Sequence, residues 1–273
     1  MNQWTFRRAP ALVAGPCVIE EGDQLARVAD ELAAIGLRLG VPVCLKASFD
    51  KANRARLESA RGPGLQEGLL ALARAKRSSG LPLLTDIHEP SQARIAADVV
   101  DALQVPAFLC RQTDLLTAVG ATGLPVNIKK GQWMAPEEMR GAVDKVRAAG
   151  SQDVAVTERG TAFGYGDLVV DMRAFDRLHG AVGTPVLFDG THAVQQPGRG
   201  EGGTSGGQRR HLPALLYAAA AAGADGFYLE THPDPSSASS DAATQWPLDK
   251  LEEVVARALE VWHVARTLLR TPS

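Results

Sequence analysis

The sequence predicts a (β/α)8 barrel, an α/β fold forming a single domain over residues 1–273. Three observations carry that prediction. Eight short β-type runs alternate with longer segments of helical pattern, which is the order a parallel α/β fold requires. Eight such units in about 260 residues match the usual size of this barrel. No Gly-x-Gly-x-x-Gly follows the first run, so an open doubly wound sheet, the runner-up, lacks its signature.

The predicted strands, in order, are Ala11–Pro16, Val43–Ala47, Leu83–Ile87, Ala102–Val105, Val126–Lys129, Val154–Glu158, Val186–Phe188 and Gly226–Leu229. The predicted helices are Asp23–Leu39, Leu65–Ser79, Ser91–Val99, Asp114–Thr122, Pro136–Ala149, Val170–Leu178, Gly207–Ala222 and Leu248–Leu269. Pro136 suits a first helical turn, and Ser91 after Pro90 reads as a cap. Gly40, Gly80, Gly150, Gly180 and Gly223 stand where helices should stop, because glycine accepts the left-handed closing conformation. Met1–Ala9 precedes the first strand and is expected to form a small hairpin or plug over the barrel bottom. No Pro/Ser/Gly linker or charge block divides the middle of the chain.

Composition narrows the function classes. A hydrophobic fraction of 45% with 22% charge fits a soluble globular protein. The net charge of -2 gives no argument for a nucleic-acid partner. Three cysteines, Cys17, Cys44 and Cys110, are too few and odd in number for a disulfide framework, which points to a reducing compartment. The N-terminus lacks a secretory apolar segment, and no apolar run reaches about 18 residues. A cytoplasmic protein with no membrane partner is expected.

In such a barrel, chemistry sits where strands end and the following loops begin. Those ends are rich in ionisable residues: Cys17 and Glu20, Lys46, Asp86 and His88, Gln104 leading to Arg111, Lys129 and Lys130, Glu158 and Arg159, Asp189 and His192, Glu230 and His232. The segment Val43–Gly64 is the most pointed. It runs from a strand into Lys46, Lys51, Asn53, Arg54, Arg56 and Arg61. Lys46, Lys51, Lys129 and Arg159, with Arg54 and Arg111 nearby, would repel one another unless they surround an anion such as phosphate or carboxylate. The competing reading pairs each cation with a rim acid such as Asp86 or Glu158. A third makes Lys129 a Schiff-base lysine, its pKa lowered by crowding.

A second constellation joins Cys17, His192, Glu230 and Asp241. Strand 8 adjoins strand 1 in a closed barrel, so these ends become neighbours. Taken singly, a cysteine at a strand end is usually a small buried hydrophobe. Together, one thiolate, one imidazole and two carboxylates suit Fe²⁺, Mn²⁺, Co²⁺ or Zn²⁺ better than Mg²⁺. A third feature is the Gly-rich loop Gln196–Arg210. Loops after strand 7 often bind phosphate at a helix N-terminus, and Ser205-Gly206-Gly207 is expected to lead into one. The same loop reads equally as a flexible lid.

The motifs AGPCVIE, LKASFDKANR, RGPGLQEGL, LLTDIHEPSQA, LQVPAFLCRQTDLL, NIKKGQ, TERGTAFGYGDLVVDMR, VLFDGTHAVQQPG, TSGG and ETHPDPSSASSDAATQWPL follow one another along nearly the whole chain. In this the chain resembles the 3-deoxy-D-manno-octulosonate 8-phosphate synthase family. The resemblance implies condensation of phosphoenolpyruvate with arabinose 5-phosphate, release of phosphate, and a product used in lipopolysaccharide synthesis. It assigns phosphoenolpyruvate to Lys46, Lys51, Lys129 and Arg159, with Gln104, Pro106, Ala107, Phe108 and Arg111 lining its pocket. It gives the sugar phosphate to Asn53 and Arg54, with Ser205 from a neighbouring subunit, and makes Asp86 a supporting polar group. Cys17 stands where the metal-independent class of the family has Asn, which implies the metal-dependent class. Ser240-Asp241-Ala242 agrees with that. A homotetramer is implied by the same resemblance.

The chain departs from the family at Ala55, where a serine is common, so one hydroxyl near the sugar phosphate is missing. The implied mechanism is an aldol-type condensation without a Schiff base, in which His192 also contacts substrate. Rival readings are a sister synthase using erythrose 4-phosphate or an N-acyl mannosamine, a non-catalytic sugar-phosphate-binding barrel, and a lysine-dependent aldolase. The first of these usually reads Lys-Pro-Arg-Thr-Ser where this chain has Lys51-Ala52-Asn53-Arg54-Ala55.

Overall fold

A computed structural model describes residues 4–269. Eight parallel strands form its core: β1 Ala11–Gly15, β2 Val43–Lys46, β3 Leu83–Asp86, β4 Ala102–Val105, β5 Val126–Lys129, β6 Val154–Glu158, β7 Val186–Asp189 and β8 Gly226–His232. Each pairs with the next, and β1 also pairs with β8, from Ala11 opposite Gly226 to Gly15 opposite Glu230. The sheet is therefore a closed barrel, as the sequence predicts.

The helices are α1 Gln24–Leu39, α2 Leu65–Ser79, α3 Pro90–Ala97, α4 Thr113–Gly120, α5 Met139–Ala149, α6 Ala174–Val182, α7 Leu212–Ala222 and α8 Leu251–Leu269. Short 3₁₀ turns at Pro136–Glu138 and Leu248–Lys250 lead into α5 and α8. α1 ends at Gly40, whose φ of 63° lets its N–H reach back to Gly36 O.

The period-2 alternation of strands explains how the barrel makes a site. One set of positions, including Leu12, Leu45, Leu103, Val126, Val156, Phe188 and Leu229, joins the large core shared with the helices. The alternate set starts apolar, with Val13, Cys44, Leu84, Ala102, Ala155, Leu187 and Tyr228 in a second cluster. Two residues further along β2, β3, β4, β7 and β8 stand Lys46, Asp86, Gln104, Asp189 and Glu230, all buried. The inner face thus changes from apolar floor to ionised rim within one pleat. Gly15 sits at this level with φ 154°, and a Cβ there would meet Lys46 O at 1.9 Å.

The floor is built largely of small side chains, and Trp4 and Phe6 complete it. Both are buried in the inner cluster, with ring centroids 5.7 Å apart in a T-shaped pair. The described part of Met1–Ala9 is therefore a plug. No strand occurs in residues 4–9, and residues 1–3 of the expected hairpin lie outside the described range.

Several local expectations are corrected. The cap of α3 is Glu89, not Ser91: Pro90 takes the first helical position, and Gln92 Oε1 accepts from the N–H groups of His88 and Glu89. α6 starts at Ala174 rather than Val170, because Leu168–Val169 pairs antiparallel with Thr161–Ala162 and Asp171 closes a turn. It runs through Gly180 and stops at Gly183. Gly206–Gly207 pairs antiparallel with Gln195–Gln196, so α7 begins only at Leu212. The helix N-terminus expected beside Ser205 is absent. Among the described residues no helix is long and apolar enough to cross a membrane.

Candidate active site

The C-terminal ends of the strands open into a cavity of about 580 Å³. Its wall takes in every sequence-predicted site residue except Cys17 and Arg111. Cys17 is fully buried within hydrogen-bond reach of Ser240 and Asp241, both of which line the wall. Arg111 is exposed and is not among the residues lining this cavity. The 3₁₀ turn Ala107–Leu109 carries the chain outward there, and Cys110 takes the inward position against Met134. Ser205 lines the cavity of its own chain. Asn53, Pro106, Ala107 and Phe108 stand in the wall, with Phe108 stacked on Trp133 at 6.0 Å.

The cationic half is ordered by acids. Lys46 Nζ lies 2.7 Å from Glu230 Oε1 and 3.4 Å from Asp86, and donates to Cys17 O. Burial alone would lower its pKa, but Glu230 and Asp86 outweigh burial and hold the ammonium above the usual lysine range. Lys51 reaches to 4.0 Å from Glu230 and is likewise held charged against burial, by Glu230 and Asp86. Asp86 accepts from Ser48 and from Gln104, and Gln104 accepts from Asn127. Burial would raise the Asp86 carboxyl; Lys46 and Lys51 instead keep it well below the usual carboxylate range.

Lys129 pairs with the buried Asp189 and lies 3.4 Å from the centre of the Tyr228 ring. Its pKa is lowered to about 8. Burial is the leading cause and Asp189 opposes it, so crowding by cations is not the main source. Arg159 Nη2 donates to Gln195 Oε1 at 2.7 Å, while its Nη1 is buried with no hydrogen-bond partner. A buried guanidinium with a vacant donor is suited to an anion's oxygen. The competing reading, cations paired with rim acids, is right for Lys46 and Lys129. It fails for Glu158, which pairs with Lys130 at 3.4 Å beside a second cavity.

The opposite half gathers the proposed ligands. One ligand atom each from Cys17, Glu230 and Asp241 lies within 4.8 Å of the others. His192 Nε2 is 3.4 Å from Glu230 Oε2 and 3.6 Å from Asp241 Oδ2. Its Nδ1 is tied to Asp189 Oδ2 at 2.6 Å, the usual way a ligating imidazole is oriented. Glu230 divides its two oxygens. Oε1 accepts from Lys46 and the Tyr228 hydroxyl, whereas Oε2 is buried with no hydrogen-bond partner. That orphaned atom beside a thiol, an imidazole and a second carboxylate fits a divalent cation of intermediate softness.

Electrostatics agree with that fit. Burial, reinforced by Glu230, pushes the Cys17 thiol well above its ordinary range. Burial would lower His192, but Asp189 and Glu230 outweigh it and raise the imidazole. A cation bound there would displace the thiol proton of Cys17. Asp241 has φ 49°, the sole positive value outside glycine among the described residues. A non-glycine residue in that region costs of order 1 kcal/mol and such outliers concentrate at functional sites.

Sequence reasoning missed Asp189 as the shared partner of Lys129 and His192, although it closes β7. It also missed Tyr228, Gln195 and Gln245, and named Ser240 only within Ser240-Asp241-Ala242. Inward alternation along β8 would have pointed to Tyr228, two residues before Glu230. Gln195 lies in the two-residue pairing with Gly206–Gly207, Ser240 and Gln245 lie on the loop after β8, and none of the three carries a local pattern.

A sequence profile described as the DAHP synthetase I family matches residues 7–267. The chain is 51% identical over 251 residues to a protein of Nitratidesulfovibrio vulgaris named 2-dehydro-3-deoxyphosphooctonate aldolase, covering 92% of this chain and 91% of that one. Proteins of the same name from Acidithiobacillus ferrooxidans and Xanthomonas oryzae pv. oryzae are 48% identical over 255 residues and 51% identical over 250 residues. These cover 93% and 92% of this chain, and 90% of each relative. With the barrel, the rim and these likenesses in place, the chain belongs to the DAHP synthetase I family.

Proposed function

We propose that the chain condenses phosphoenolpyruvate with D-arabinose 5-phosphate and water, giving 3-deoxy-D-manno-octulosonate 8-phosphate and phosphate for lipopolysaccharide synthesis. The 2-dehydro-3-deoxyphosphooctonate aldolase relatives support that activity. The observation that carries it at the level of the site is the convergence of Lys46, Lys51, Lys129 and Arg159 on one cavity, opposite His192, Glu230 and Asp241.

In this reading Lys46, Lys51, Lys129 and Arg159 hold the phosphate and carboxylate of phosphoenolpyruvate, and the vacant Arg159 Nη1 takes one of its oxygens. Asn53, Arg54 and Ser205 hold the sugar phosphate at the cavity mouth. C3 of the enol phosphate attacks the aldehyde carbon, water adds at C2, and phosphate leaves by C–O cleavage. The fixed cations stabilise charge developing on the departing phosphate without needing to reorganise. Lys129 acts as a cation held by Asp189, so no Schiff base forms. Cys17, His192, Glu230 and Asp241 would hold Fe²⁺, Mn²⁺, Co²⁺ or Zn²⁺, which as a Lewis acid would orient the aldehyde or lower a water's pKa.

We further propose a cytoplasmic homotetramer. The family resemblance and the free cysteines support this reading, and the exposed Phe108, Trp133 and Phe163 offer apolar surface for contacts between copies.

The test is phosphate release from phosphoenolpyruvate with several aldose phosphates, with and without chelator. Arabinose 5-phosphate should be preferred, and activity should vanish on chelation and return with one of the four cations. Preference for erythrose 4-phosphate would overturn the substrate reading, and activity surviving complete metal removal would overturn the metal reading. Borohydride with substrate should trap no adduct on Lys129.

A further inference from the structure

Between the cationic half and the ligand quartet stands one hydroxyl. Ser240 Oγ lies 3.0 Å from Cys17 Sγ, and Arg54 Nη1 donates to it at 2.8 Å. The arrangement is built rather than incidental. Ser240 is buried, and the buried side chain of Gln245 accepts from Cys17 N at 3.2 Å and donates to Ser240 O at 2.8 Å. One amide therefore sets the spacing between the sulfur and the serine. Arg54 is fixed as well, since Nε donates to Ala60 O and Nη2 to Ser239 O. Glu20 secures the same loop by accepting from Ser239 N and Oγ, each at 2.8 Å.

We infer that Ser240 is a positioning residue through which Arg54 tunes the Cys17 sulfur: the hydroxyl accepts from the guanidinium and donates to the thiolate. A hydroxyl can do both at once, and a donor on its oxygen makes its own O–H a stronger donor. This rests on Cys17 binding a cation as thiolate, as proposed above. When the thiol gives up its proton, the sulfur turns from donor to acceptor, and Ser240 is the hydroxyl placed to serve it. Arg54 would then support cation binding although its own charge opposes a cation.

That sign separates the relay from simple electrostatics. Removing a positive charge near a cation site should tighten binding by Coulomb's law. Removing the outer member of a hydrogen-bonded relay should weaken it, by about tenfold at the lower end of effects seen for groups that support metal ligands.

The experiment measures Co²⁺ affinity of the full chain by competition with a chelator and records the sulfur-to-cobalt charge-transfer band. Four proteins are compared with wild type: Arg54→Ala, Ser240→Ala, Ser240→Thr and the Arg54→Ala/Ser240→Ala double variant. Arg54→Ala and Ser240→Ala should each weaken Co²⁺ binding about tenfold. Arg54→Ala should cause no further weakening in the Ser240→Ala background, since the two residues weaken binding through one interaction. Ser240→Ala should move the band to longer wavelength, and Ser240→Thr should restore its position. Tighter or unchanged binding in Arg54→Ala, or an effect that persists without Ser240, overturns the inference while leaving the metal site standing. A wild-type protein with no sulfur-to-cobalt band overturns both.

Discussion

Asp189 Oδ2 lies 2.6 Å from His192 Nδ1, and the same buried carboxylate pairs with Lys129. One strand-end residue thus orients a candidate ligand and a candidate phosphate-binding cation. Burial would raise its carboxyl, but His192 and Lys129 keep it well below the usual range. Asp189→Asn should keep the fold, lower divalent-cation affinity about 10- to 100-fold, and push the Lys129 ammonium further down. Equilibrium dialysis against Co²⁺ checks the first effect. Unaltered affinity would remove Asp189 from the metal site.

Cys17→Asn tests the proposed thiolate ligand directly. Cation affinity should fall sharply, while some phosphate release remains. Metal content after purification and steady-state turnover give the two readings. An unchanged metal content would exclude Cys17 as a ligand.

Lys129 supplies a pH dependence. Its pKa of about 8 means that it is charged below that value and loses its charge as pH rises through it. A neutral amine no longer attracts an anionic substrate, so KM for phosphoenolpyruvate should rise above about pH 8. A KM that stays level up to pH 10 would contradict Lys129 as a substrate-binding cation.

The plug makes a stability prediction. Phe6 is fully buried against the barrel floor. Phe6→Ala should destabilise the fold by about 3–5 kcal/mol, read from denaturant unfolding. Cation affinity should hold, because the site lies at the other end of the strands.

Asp225 ties three elements at the barrel bottom. It accepts from Val186 N at 2.8 Å on β7 and from Arg266 at 2.6 Å on α8, and pairs with His179 at 2.5 Å on α6. Burial would raise its carboxyl, but His179, the Val186 N–H and Arg266 outweigh burial and lower it. A group with a depressed folded pKa contributes stability above its unfolded pKa of about 4 and loses it as pH falls through the folded value. Asp225→Asn should therefore flatten the acid limb of a melting-temperature profile. A limb as steep as wild type would place the acid sensitivity elsewhere.

Much of the barrel is legible in the sequence because its strands are short, fully buried and bounded by charge. β4, β5 and β6 match the predicted runs residue for residue. The rim was readable for the same reason, since Lys46, Lys129 and Asp189 each end a strand. What escaped depends on distant contacts. Gln245 meets Cys17 across 228 positions of sequence, and Gln195 meets Asp241 across 46. The start of α6 was misplaced because the hairpin at Leu168–Val169 overrides helical periodicity. Ser205 was given a helix that the pairing of Gly206–Gly207 forbids.

The pairing of β1 with β8 carries a consequence for how the molecule is made. Gly15 and Glu230 meet side by side although roughly two hundred residues separate them, so during synthesis at about 5–20 residues per second the barrel stays open until its last strand emerges. Such distant partners make closure a slow, late event. Cys17 lies just past one edge of that seam, and Glu230 and Asp241 at or beyond the other. A cation held among them would act as a clasp, present only in the closed ring and favouring it by mass action. Assembly of the site and completion of the fold are then one event, and a newly made chain gains its chemistry only when its two ends have met.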